Sequence, residues 1–174
     1  MRIIKIFLAG LIGLFVFVTL FSLVIPSNIR VSRATIIHSS KDEVYKQVTD
    51  LKNWKNWHPL FKNNVIKILF SNPSKGINAY CDLNYKNKQT HLQVTGIDTS
   101  SIQFLLQLKG ENDISNQISI TPLTEQNAVQ VEWQALTKMH WYPWEKFYGI
   151  FIDKIYGPGY EDALNGLKEY AESR

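Results

Sequence analysis

One cysteine, Cys81, is present in the 174 residues, so no disulfide can form within the chain and its stability must come from a packed core. An excess of one charge is also lacking. The 19 Lys+Arg stand against 15 Asp+Glu, a formal +4 that is too small and too dispersed to point to nucleic acid. No His-Glu-x-x-His or Cys-x-x-Cys spacing is present, and His38, His58, His91 and His140 are never spaced as a metal pair on one helix or strand, so no metal site is expected. No Gly-x-Ser-x-Gly turn offers a serine nucleophile. Gly157-Pro158-Gly159 lacks the lysine and the spacing of a phosphate cradle and reads as a helix break, with Pro158 at a first-turn position. Internal repeats and low-complexity tracts are missing. No cofactor and no nucleic-acid partner is expected, and no residue is assigned a catalytic role.

What the chain does have is a long apolar run. Residues 6–25 read IFLAGLIGLFVFVTLFSLVI without a charge, closed by Pro26. As a helix of about 1.5 Å rise per residue this run matches the roughly 30 Å of a bilayer's hydrocarbon core. A cleavable secretory signal is the rival reading, since Arg2 and Lys5 make a basic head. The apolar stretch is longer than the usual signal core of about 7–15 residues, and no A-x-A-like site follows it, so a retained anchor is preferred. Basic residues lie on both sides, with Arg2 and Lys5 before the span and Arg30, Arg33 and Lys41 after it. The short basic head favours a cytoplasmic N-terminus and a main domain on the extracytoplasmic side, a single-pass arrangement. The expected organisation is an anchor over residues 1–26, a linker over 27–30 and one domain over 31–174.

Within that domain, Val31–Ile37 is rich in β-branched residues and predicts a strand. Ser40-Lys41-Asp42-Glu43 fits a capping box, and Val44, Val48 and Leu51 continue as one apolar helical stripe. Trp54 and Trp57, three apart and stopped by Pro59, predict a short second helix. The period then falls to two, with strands expected over 64–70, 77–86, 88–96, 101–109, 113–121 and 127–137, joined by short turns as an antiparallel meander. Alternation puts Ile77, Cys81, Leu83, Leu92, Phe104, Ile118 and Trp133 on an apolar face. It puts Asp82, His91, Gln107 and Glu132 on a wet one. The apolar face needs a cover, and two C-terminal helical stretches supply it: one over 142–155 and, past the expected break, one carrying Tyr160, Leu164, Leu167 and Ala171.

The strand followed by Ser39-Ser40-Lys41-Asp42-Glu43-Val44-Tyr45, then Trp54-Lys55-Asn56-Trp57-His58-Pro59, and the closing Gly157-Pro158-Gly159-Tyr160 with Leu164, Leu167 and Lys168, resembles the SRPBCC or START-like superfamily, most of all its polyketide cyclase/dehydrase-like group with a membrane helix. The resemblance spans residues 31–174. It implies an α+β helix-grip fold, a curved antiparallel sheet of about seven strands wrapped on a long C-terminal helix, with an apolar cavity between them for a hydrophobic small molecule or lipid. It brings no shared catalytic residues.

An excess of aromatics in the short helices, the sheet and the connection before the last helix fits a lined cavity as well as plain packing. Candidate lining residues are Trp57, Phe61, Cys81, Tyr85, Phe104, Trp133, His140, Trp144, Tyr148, Phe151 and Leu164, with Tyr85, Arg33 or His140 as polar tips. Trp141, Tyr142, Trp144 and Tyr148 also suit a membrane interface, where one end of the side chain is apolar and the other wet. The leading expectation is a membrane-tethered binding or transport domain. The alternatives are a cyclase- or dehydratase-like enzyme using Asp82, His91, Glu132 or His140 as general acid or base, and a membrane-associated assembly factor whose wet face meets a partner.

Overall fold

In the computed structural model, residues 2–86, 88–123 and 127–174 are described. Asn87 and Thr124–Gln126, which the expected turns after the second and fifth meander strands include, lie outside the described residues.

Helix α1 (Arg2–Ser22) opens the chain and is exposed along residues 2–17. It ends at Ser22, three residues before the end of the apolar run at Ile25. Strand β1 (Asn28–Ile37) starts earlier than expected, because residues 28–30 pair with Lys138–Leu136. Ser27 alone is left of the expected linker. Helix α2 (Lys41–Thr49) is capped by Ser40, whose hydroxyl accepts from the Glu43 backbone N–H at 3.3 Å. The reciprocal half of the capping box is replaced: the Glu43 carboxylate accepts from Gln47 Nε2 at 3.1 Å, one turn on. A 3-10 turn at Leu51–Asn53 leads into α3 (Trp54–Trp57), and α4 (Pro59–Lys62) follows with Pro59 in its first turn and His58 as its cap.

Six strands come next: β2 (Lys67–Phe70), β3 (Tyr80–Tyr85), β4 (Lys88–Asp98), β5 (Ser101–Leu108), β6 (Ile114–Leu123) and β7 (Ala128–Lys138). With β1 they form one antiparallel sheet in the order β1-β7-β6-β5-β4-β3-β2, so the meander closes when β1 adds to its last strand. A register shift between Val94 and Gly96 inserts an extra residue in β4 and bends the sheet there. The expected strands over 64–70 and 77–86 are shorter in the structure. Ile77 is 62% exposed and belongs to the turn before β3, not to the apolar face.

The sheet's inner face is covered by α5 (Pro143–Gly149) and the 21-residue α6 (Ile152–Glu172). The expected break at Gly157-Pro158-Gly159 does not occur; the chain turns at Ile150–Phe151 instead, and Pro158 sits inside α6. A proline inside a helix forfeits one backbone hydrogen bond. The surroundings hold the helix together there. The Arg33 guanidinium lies across Gly157, where a Cβ would collide with it, and grips Asp153 with two hydrogen bonds of 2.9 and 3.1 Å. Arg33 lowers the Asp153 pKa below its ordinary value, so the carboxylate stays ionised in the first turn of α6, where the helix dipole favours it. At the other end of α6, Glu172 accepts from the His38 backbone N–H at 2.9 Å. Both ends of the helix are thus fastened to β1.

The core is an aromatic cluster. Trp54 contacts Trp57, Phe61, Phe104 and Trp133 with ring centroids 5.1 to 5.8 Å apart. The two helix tryptophans send their indole N–H groups to carbonyls at the end of α2, Trp54 to Val48 at 2.8 Å and Trp57 to Gln47 at 3.1 Å, so neither buried donor is orphaned.

Two glycines of α6 should respond oppositely to alanine. Alanine is favoured over glycine in a helix interior by about 1 kcal/mol. At Gly166 a Cβ would run into the Trp57 carbonyl oxygen, whereas at Gly159 nothing lies within 4 Å. Gly166→Ala is therefore expected to destabilise the protein by about 2 kcal/mol through forced separation of α6 from α3, and Gly159→Ala to stabilise it by about 0.5 kcal/mol. Denaturant melts of the two variants in detergent check this; equal shifts would contradict the packing.

Candidate functional site

Cover of the sheet is uneven. Under the C-terminal half of α6, Leu164, Leu167 and Ala171 are buried in one hydrophobic cluster with residues of α2, α3 and the sheet. Under its N-terminal half a hollow remains, in two lobes that share Lys88, Ile114, Tyr156 and Tyr160.

The inner lobe holds about 470 Å³ and is walled mainly by apolar side chains, among them Phe61, Leu83, Leu92, Phe104, Leu106 and Trp133. That volume suits a small ligand. Polar groups in its wall include those of His58, Asn116 and Tyr160, and Tyr85, Lys88, Thr90 and Asp162 also line it. His58 stacks on Trp54, with centroids 5.6 Å apart and planes 6° from parallel, and its Nδ1 accepts from the Leu60 N–H at 3.2 Å. Burial depresses its pKa to about 3, so the imidazole is neutral at any physiological pH. Asn116 lies inward on β6, accepting from Trp133 Nε1 at 3.0 Å and donating to the Ile114 carbonyl. Tyr160, its pKa pushed up to about 12 by burial, is a protonated phenol packed 5.1 Å from Trp133.

The outer lobe, about 680 Å³, is more polar and more open. His140 and Glu145 meet there. The His140 backbone N–H donates to the Glu145 carboxylate at 2.7 Å, the ring Nδ1–H does so at 3.0 Å, and Asn112 Nδ2 adds a longer bond of 3.4 Å. Partial burial raises the Glu145 pKa, but these donors outweigh it and leave the carboxylate below its ordinary range. Across the lobe the hydroxyls of Tyr148 and Tyr156 lie 3.4 Å apart, and that contact, with burial, raises the Tyr156 pKa.

The candidate residues of the sequence fall into three places. Phe61, Tyr85, Phe104 and Trp133 line the inner lobe, and His140 and Tyr148 the outer one. Trp57, Cys81 and Leu164 are fully or almost fully buried and reach neither lobe, because they belong to the solid half of the core. The Cys81 thiol is pushed up to about 12 by burial and by Asp82, which leaves it without thiolate character. Trp144 and Phe151 are 64% and 55% exposed on the outside of the cover. Arg33 points inward but is spent on Asp153. Of the residues weighed for acid–base chemistry, Asp82 and His91 pair at 2.6 Å on the sheet's outer face, and Glu132 accepts there from Ser32 and Gln134. Among the described residues no three His, Cys, Asp or Glu side chains converge as a metal would require.

Sequence reasoning missed His58, Asn116, Tyr156 and Tyr160 as lining residues. For Asn116 the signal was present: it is in phase with Ile114, Ile118 and Ile120, so alternation turns it inward. His58 carries no such mark, since its burial follows from the packing of α3 and α4.

Because the unfolded chain takes up the His58 proton near pH 6.5 and the folded one near 3, stability is complete above pH 6.5 and falls as the pH drops, by about 2–3 kcal/mol at pH 4.5 from this residue. His58→Asn, which retains a capping oxygen, is expected to flatten the stability profile between pH 6.5 and 4.5. Denaturant melts of both proteins across that range measure the difference; parallel profiles would mean that the ring is solvated.

No protein-family model matches the sequence, and no curated protein does either. The fold, by contrast, recurs among solved structures. A START superfamily protein from Mycobacterium smegmatis aligns with a TM-score of 0.61 at 17% identity over 83% of this chain and 98% of its own. The di-domain ARO/CYC StfQ of the steffimycin biosynthetic pathway aligns with a TM-score of 0.66 at 11% identity, over 84% of this chain and 51% of its own. A protein from Nitrosospira multiformis gives 0.64 at 12% identity over 82% and 95%. At such identities what is shared is architecture, which in this chain is seven antiparallel strands curved around a long C-terminal helix. The chain therefore has the START-like helix-grip fold, preceded by an apolar N-terminal helix.

Proposed function

We propose that the protein binds a hydrophobic small molecule or lipid in the hollow under α6 while α1 holds it in a membrane. Residues 1–26 act as the anchor and the domain from β1 onward as the binding unit, on the extracytoplasmic side of a single-pass arrangement with a cytoplasmic N-terminus. The observation that carries the binding role is the inner lobe itself: about 470 Å³ of apolar-walled space where a domain of this size ordinarily closes its core. A ligand that buries about 300 Å² of apolar surface there gains about 7 kcal/mol before ordering costs, enough for useful affinity without bond chemistry. Phe61, Tyr85, Phe104 and Trp133 form its walls, with His140 and Tyr148 at the polar end; Trp57, Cys81 and Leu164 back those walls from the solid core, and Trp144 and Phe151 serve outside the hollow. Tethering agrees with the length and composition of α1, whose residues 2–17 are exposed.

A second reading, acid–base catalysis in the cyclase or dehydratase manner, is favoured by one observation: His140 and Glu145 are in hydrogen-bond contact and both line the outer lobe. Glu145 would fix the ring and leave Nε2 to exchange a proton with the ligand.

Native mass spectrometry of the full chain, extracted from its own membranes in mild detergent, tests both readings. Binding is expected to appear as a retained apolar compound, and Leu106→Trp, which fills the inner lobe, to lower its retention about tenfold while the melting temperature holds or rises. A chain that retains nothing, and whose melting temperature no long-chain apolar probe moves, overturns the binding role. If His140→Gln carries a compound heavier by one water than the wild type does, the dehydratase reading replaces it.

A further inference from the structure

We infer that α5 and the turn into α6 form a membrane-contact surface, which rests on the headgroup boundary of the same bilayer that α1 crosses and opens the outer lobe toward lipid. The inference rests on the proposed anchor role of α1 and goes beyond it. Trp141, Trp144, Tyr148, Ile150, Phe151 and Ile155 are between 44% and 64% exposed and follow one another along this short stretch. A large contiguous apolar patch on a protein surface ordinarily marks an interaction site.

The stretch from Trp141 to Ile155 contains four charged side chains, of which Glu145, Lys146 and Asp153 are engaged by other groups and Lys154 is exposed. Glu145 is held by His140 and Asn112. Lys146 is 4% exposed and donates to the Ile25 carbonyl at 2.8 Å and to Ser27 Oγ at 2.6 Å. What remains on the outside is Trp and Tyr flanked by Ile and Phe, with Lys154 able to reach the headgroups, a side-chain set that favours the boundary between headgroups and acyl chains.

The occupant follows from chain continuity. Lys146 grips the peptide that immediately follows α1, and Ser22 at the end of α1 is fully buried against the domain. The depth at which α1 leaves the hydrocarbon therefore fixes the depth of α5, and the patch has the bilayer beside it before any soluble partner can approach. Tyr148 lines the outer lobe from α5, and Ile152 does so just beyond the turn. A ligand could pass from lipid to hollow past these two side chains without crossing bulk water.

Two measurements on the full chain in phosphatidylcholine nanodiscs test this. Lipids brominated near the top of the acyl chain are expected to quench the fluorescence of Trp141 and Trp144 and to spare the buried Trp54, Trp57 and Trp133; Trp141→Phe combined with Trp144→Phe should remove the quenchable part. A nitroxide at Ile150→Cys is expected to be reached by oxygen and shielded from a nickel chelate, whereas one at Leu69→Cys, on the far edge strand β2, should be reached by the chelate. Should the label at position 150 be as open to the chelate as that at 69, or shielded from both probes as under a second copy or another protein, the inference is overturned while the anchor stands. Release of the chain from membranes by alkaline carbonate would overturn the anchor and this inference together. The quenching arm uses no cysteine variant and does not depend on how those variants fold.

Discussion

The arrangement depends on how one helix is held to one strand. α6 is fastened to β1 at its start by Arg33 and Asp153 and at its end by His38 and Glu172. Exposed ion pairs contribute little to stability, and these are worth more as position markers than as energy. Burial supplies the cohesion, and it is concentrated under the second half of the helix, where Gly166 lets α6 touch the backbone of α3 and the tryptophans of α3 reach the sheet. With both ends fixed and one half solidly packed, the first half cannot settle onto the sheet. The hollow is a consequence of that fixed geometry, and the large side chains that could have filled it, Trp144 and Phe151, are turned outward.

The polar groups inside the hollow obey the same constraint. A hydrogen bond in a low-dielectric space is strong when made and costly when missing, so each polar side chain must find a partner or stay neutral. Asn116 is used by Trp133, His58 accepts from the Leu60 N–H, and the indoles of Trp54 and Trp57 are satisfied by α2. The inner lobe is thus mainly apolar, with the Tyr160 hydroxyl among its polar groups, whereas the outer lobe keeps an ionised carboxylate, an imidazole and two phenols at its wall. The gradient from apolar to polar runs outward.

Much of this was legible beforehand. Period-two alternation with turn residues between strands specified an antiparallel sheet with one apolar face, and the need to cover that face put the helix where it lies. The failures have physical causes. Gly157-Pro158-Gly159 reads as a break because proline and glycine are poor helix formers, but α6 is packed on both sides of it, by Ile152 before and by Ala163, Leu164 and Leu167 after, and the chain turns at Ile150–Phe151 instead. Trp57, Cys81 and Leu164 looked equivalent to Phe104 and Trp133 because alternation tells inward from outward; it cannot tell a filled interior from an empty one. That difference arises from the tilt of α6 and the placement of α3, which no local pattern encodes.

Lys146 shows how such non-local information can still leave a trace. A lysine nine-tenths or more buried is uncommon, and here its ammonium is accommodated by a carbonyl and a hydroxyl from the chain between α1 and β1. Placing a charge in that position has a structural effect that an apolar side chain could not have, because it ties the cover of the sheet to the end of the apolar helix. Lys146 and the buried Ser22 together join the end of α1 to the helix that borders the hollow, so the sheet alone does not set where the hollow lies relative to α1.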